Sequence, residues 1–69
     1  MTPAEVRVFR TLAPGGQLTV EQIQRAAGLT RRTVRRALDR LSREHLVLAA
    51  YPRGRWRAAR AWDAPAGQP

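Results

Sequence analysis

Between Arg31 and Glu44 the apolar residues Val34, Ala37, Leu38 and Leu41 recur at the i, i+3, i+4, i+7 spacing of one helical stripe. At about 100° per residue the opposite face is centred on Arg32, Arg36 and Arg43, with Arg35 on one flank and Arg40 on the other. The pattern predicts a helix over 31–44 that buries one side and offers guanidiniums on the other. Two shorter amphipathic segments precede it. Thr2 as N-cap, Pro3 at the first helical position and Glu5 at N3 carry the signature of a capping box, with Val6, Phe9 and Leu12 or Ala13 facing inward. Pro14-Gly15-Gly16 ends that helix, and Gln17-Leu18 reads as a short extended link or a single strand. Thr19 with Gln22 at N3 repeats the capping box, and Ile23, Ala26 and Ala27 form the expected buried face.

Gly28 suits a left-handed position after the second helix, Leu29 fills the angle, and Thr30 caps the third helix at once. Two short amphipathic helices joined by Gly-Leu-Thr carry the signature of a helix-turn-helix. Beyond Glu44 the period changes. Leu46–Tyr51 is an apolar run of strand length, Pro52-Arg53-Gly54-Arg55 a turn, and Trp56–Arg60 a returning strand. The expected register pairs Tyr51 with Trp56 and Ala49 with Ala58, leaving open which face is buried. The fold class is mainly α with a small β-hairpin. The expected domain spans 1–62, and 63–69 is expected to be a flexible tail.

Composition sharpens this picture through charge. The 69 residues carry a net charge of +8, and all thirteen basic residues are arginine. Residues 1–24 balance Arg7 and Arg10 against Glu5 and Glu21, whereas residues 25–60 set eleven arginines against Asp39 and Glu44. A positive field confined to one segment is the footprint expected of a nucleic-acid surface. Codon bias in a GC-rich genome accounts for the absence of lysine as readily as selection for bidentate contact does. There is no cysteine to form a disulfide, and a lone His45 makes no metal site. No apolar run approaches a membrane span, no signal-peptide core stands at the start, and a cytoplasmic, nucleoid-associated location is expected. His45 with Ser42 three residues earlier lacks the third group of a nucleophile–base pair, so the expectation is no enzyme and no cofactor.

The run GLTRRTVRRALDRLSREHLV at 28–47, followed by RGRW at 53–56, resembles the winged helix-turn-helix repressors, most closely the DNA-binding domain of the GntR family. The resemblance covers about residues 18–60. It implies three helices plus a wing, and a recognition helix over 31–44 lying in the major groove of double-stranded DNA. On that reading Arg31, Arg32, Arg35 and Arg36 contact bases or flank the groove. On the same resemblance Thr30 and Thr33 contact phosphate and Arg53 and Arg55 sit at the wing; from their positions alone Arg25, Arg40 and Arg43 are expected on the DNA backbone and Gly54 and Arg57 in the wing. Two departures from the family pattern stand out. His45 occupies the place of a helix-ending Gly, and these 69 residues hold no counterpart of the large effector-binding domain. Small-molecule induction and dimerisation through that domain therefore do not transfer.

Weighed alone, each residue also has a plainer reading. Five arginines between 31 and 40 on a solvated helix face need no ligand, although a segment so poor in acid argues for one. Arg35 is further complicated by Asp39 four residues on, a potential ion-pair partner. Arg53 and Arg55 could simply solubilise a turn; otherwise they reach phosphate or the minor groove, where Arg is attracted. Trp56 is expected to close the small core, while Trp62 is left open between capping the core, stacking on Arg and meeting a partner. The functional expectation is a sequence-specific DNA-binding transcriptional regulator or repressor of bacterial, phage or plasmid origin, acting as a homodimer or in tandem. Two alternatives remain: a winged-helix adaptor in a larger DNA-processing machine, and RNA binding.

Overall fold

The computed structural model describes residues 1–60 and Asp63. The elements run α1 (Pro3–Leu12), β1 (Leu18–Thr19), α2 (Val20–Ala27), α3 (Arg31–Arg43), β2 (Val47–Ala50) and β3 (Arg55–Ala58). Each helix starts on a threonine. The hydroxyls of Thr2, Thr19 and Thr30 accept the backbone N–H of Glu5, Gln22 and Thr33, each at 3.2 Å. Such a cap contributes about 1 kcal/mol by satisfying an otherwise orphaned donor. At Thr19 the box closes, because its own N–H donates to Gln22 Oε1 at 2.8 Å. At Thr2, contrary to the sequence expectation, only the forward half is formed among the described residues.

The helix ends are as regular as the starts. Gly28 terminates α2 at φ +68°, and Leu29 N–H bonds back to the Gln24 carbonyl. α3 stops one residue short of the expected Glu44, which becomes its cap. His45 then takes φ +61°, its N–H donating to the Ser42 carbonyl and Leu46 N–H to the Leu41 carbonyl. This is the paired closure that usually recruits glycine, made here by histidine. A left-handed non-glycine residue costs about 1–2 kcal/mol, part of which glycine gives back as chain entropy. His45→Gly is therefore expected to stabilise the domain by about 0.5–1 kcal/mol. A rise of a few degrees in Tm would register it, and an unchanged Tm would show that the conformation is free of strain.

The core is drawn from every helix and one strand. Val8 and Leu12 of α1, Val20 and Ile23 of α2, Val34, Ala37, Leu38 and Leu41 of α3, and Val47 of β2 are buried together. The α3 stripe matches the sequence pattern residue for residue. In α1 the inward pair is Val8 and Leu12, four apart, so Val6 and Phe9 are only half-buried. In α2 the inward row is Val20, Ile23 and Ala27, which leaves Ala26 exposed rather than buried.

The hairpin gains a third strand, giving the sheet order β1-β3-β2 with antiparallel pairing throughout. Its register differs from expectation: Ala49 faces Trp56, Val47 faces Ala58, and Tyr51 lies in the loop. Two constraints fix it. Leu18 pairs with Trp56 from the other side, and Gly54, at φ +92°, closes the loop 51–54. A displacement of two residues keeps the same residues together on a face, and the structure decides the face the sequence left open, with the side of Val47, Trp56 and Ala58 turned to the core. Val47 is the buried member of that set, with Trp56 and Ala58 packed at the core margin.

Candidate nucleic-acid interface

Since α3 spends Val34, Ala37, Leu38 and Leu41 on the core, its outer face is left to arginine. Arg32, Arg35 and Arg36 are exposed, and among the described residues none of the three is held in an ion pair. The others are partnered. Arg31 meets Glu21 at 3.1 Å, Arg43 meets Asp39 at 3.1 Å, and Arg40 lies 3.8 Å from Glu44. The sequence pointed to Asp39 as a partner for Arg35, yet Asp39 goes to Arg43. An acid four residues N-terminal to a base is the better helical geometry, because it also suits the helix dipole. The choice releases Arg35 to solvent.

At the start of α3 the Thr30 hydroxyl both accepts from Thr33 N–H and donates to Thr33 Oγ1 at 3.0 Å. The hydroxyl hydrogen of Thr33 remains available to a ligand, as do the first amides of the helix. On α2, Arg25 is exposed and makes no ion pair among the described residues.

The wing stands across a cleft of about 490 Å³ from α3; Arg31 and Arg35 line one side, Arg53 and Gly54 the other, and Trp56 also contributes. Arg53 is exposed at the tip beside Tyr51, which is 87% exposed. Arg55 is half-buried, and its backbone pairs with Ala50 on one side and Thr19 on the other. Trp56 serves the core margin while still reaching the cleft.

Arg57 faces a different task. Its Nη1 and Nη2 donate to the two carboxylate oxygens of Asp63 at 2.7 and 3.0 Å, and Arg60 N–H donates to Asp63 at 2.9 Å. The Arg57 guanidinium, then the Arg60 amide, hold the Asp63 carboxyl down at about 2. A folded-state value below that of the unfolded chain, about 3.9, makes this contribution to stability complete above it and lost as pH falls toward 2. Asp63→Asn is thus expected to lower Tm at pH 7, by removing one end of the bidentate Arg57 pair. The difference from the parent should close between about pH 4 and pH 2 in thermal melts. Trp62, and the tail residues 64–69, lie outside the described residues.

These elements invite comparison with known proteins. The sequence model of the family described as "Bacterial regulatory proteins, gntR family" matches residues 9–55, from mid-α1 to the first residue of β3. The chain belongs to the GntR family. No curated protein sequence gives a match to it. Among solved structures, the Zalpha domain from Carassius auratus PKZ, crystallised in complex with Z-DNA, is similar with a TM-score of 0.71 at 25% identity. That likeness covers 80% of this chain and 90% of the other. The fold is a winged helix-turn-helix, with α2 and α3 as the paired helices and β2–β3 as the wing. What sequence reasoning missed in this GntR-family domain is the Glu21–Arg31 ion pair, whose only signal was the place of Glu21 at the start of α2.

Proposed function

We propose that this chain is a sequence-specific double-stranded DNA-binding domain of a transcriptional regulator, acting on the nucleoid. α3 enters the major groove, and the wing tip reaches the backbone or the minor groove. The observation that carries this reading is the trio Arg32, Arg35 and Arg36, exposed on α3 and held in no ion pair among the described residues, with Arg35 lining the cleft that Arg53 also lines. Guanidiniums already free of acid need no internal bond broken before they meet phosphate or the O6 and N7 of guanine. Affinity would come mainly from counterion release, with base readout added to it. The similar Zalpha domain, itself in complex with DNA, supports the class of partner. One such unit reads a half-site, so a homodimer or tandem binding on DNA belongs to the proposal.

Selection from a random duplex pool at about 150 mM salt, where non-specific binding is much reduced, tests the reading. An inverted repeat with half-sites about one helical turn apart is the expected result. Recovery of no motif would overturn sequence-specific regulation and favour an adaptor in a DNA-processing machine. Because the similar domain is in complex with Z-DNA, a left-handed duplex serves as a competitor. Preference for it over every right-handed duplex would replace groove reading with recognition of helix shape. Within the proposal, Arg53→Ala and Arg55→Ala are expected to weaken all duplexes alike and to flatten the salt slope by about one unit each. A loss confined to particular sequences would reassign those residues to base contact.

A further inference from the structure

We infer that Glu21 is a positioning residue for Arg31, holding the guanidinium at the start of α3 so that it reads one base position. The inference rests on the DNA-binding reading above and deepens it. Among the ion pairs of the described residues that lie on the α2–α3 face, Glu21–Arg31 is the one that joins two helices. Arg40–Glu44 and Arg43–Asp39 are internal to α3 and its cap.

Arg31 Nη1 donates to Glu21 Oε1 at 3.1 Å, and both side chains are 57% exposed. Glu21 is placed by its own element, since it lies between Thr19 and Gln22 of the closed capping box, in the first turn of α2. Its carboxyl lies below the usual range, first through a backbone hydrogen bond and then through Arg31. The carboxylate is therefore charged, and within reach of Arg31, before any ligand arrives.

Such a group has two opposed effects on an approaching polyanion. It repels phosphate, which lowers affinity for every duplex. It also restrains a long side chain that otherwise loses rotamer freedom on being ordered against a base. One guanidinium N–H is used by Glu21, and the remaining donors are left to bond a base edge. Ordering the reader in advance favours the sequence that fits its single pose, as preorganisation does generally. The expected outcome is weaker binding overall and sharper discrimination at one base pair.

The test compares base preferences from the duplex selection for the parent, Glu21→Ala, Glu21→Gln, Arg31→Ala and the double variant Glu21→Ala with Arg31→Ala. Circular dichroism first confirms that each exposed substitution leaves the fold intact. Glu21→Ala is expected to raise affinity for random duplex while cutting discrimination at one base position by about tenfold. Glu21→Gln, which keeps an acceptor, should retain part of that discrimination. In the Arg31→Ala background, Glu21→Ala should leave the base preferences unchanged. A uniform gain in affinity with preferences intact overturns the inference, and so does the same change in preferences without Arg31. Absence of any motif from the parent chain is a failure of the DNA-regulator reading itself, visible before any substitution is made.

Discussion

Replacing Arg32 and Arg36 together by alanine is expected to abolish sequence preference at two base positions. It should also cost between about thirtyfold and about 25,000-fold in affinity for the selected site. The range follows from about 1–3 kcal/mol for each good bidentate pair with a guanine. The two side chains are four residues apart on the face opposite Val34, Ala37, Leu38 and Leu41, so their loss leaves the core untouched. Both are exposed, and neither is held in an ion pair among the described residues. Titration of the selected duplex against a scrambled one measures the effect. An equal loss on both duplexes would assign the pair to phosphate and remove base reading from this face of α3.

Leu41→Ala is expected to remove most of the domain's stability and to unfold a large share of the population at 25 °C. Leu41 is fully buried in the cluster that joins α1, α2, α3 and β2, and its carbonyl accepts Leu46 N–H at the end of α3. A buried Leu→Ala change costs about 2–5 kcal/mol. A single core in so short a chain rarely supplies more than about 3–5 kcal/mol in total. Far-ultraviolet circular dichroism and the near-ultraviolet signal of the aromatic residues would both collapse. A cooperative melt with Tm lowered by only a few degrees would mean that the site closes around the missing methyls, or that the domain has more stability in reserve.

The parts that were legible before the structure are those written in local spacing. The α3 stripe, the three threonine caps and Gly28 each depend on residues within a turn or two of one another, and all stand where the pattern put them. Contacts between distant segments left weaker marks. β1 has two residues, too few for a period to show, yet its pairing with β3 helps set the hairpin register. Asp39 has arginines four residues away on both sides, and only helix polarity separates Arg43 from Arg35. Glu21 and Arg31 are ten residues apart in sequence and meet because the turn at Gly28 folds α2 against α3. His45 was marked by its place where the family has a helix-ending Gly, and the structure puts it in the left-handed position that such a Gly would take.

Residues 51–54 of the wing are all exposed, whereas β3 immediately behind them is paired on both edges. The loop is thus a replaceable tip on a fixed handle. Its length and chemistry can vary without a penalty to the core, while the outer face of α3 changes under separate constraints. A descendant of this domain could exchange a basic tip for an acidic or apolar one and alter how firmly it grips while keeping what it reads. For protein engineering, the loop is the natural place to graft a reactive group or a second binding element.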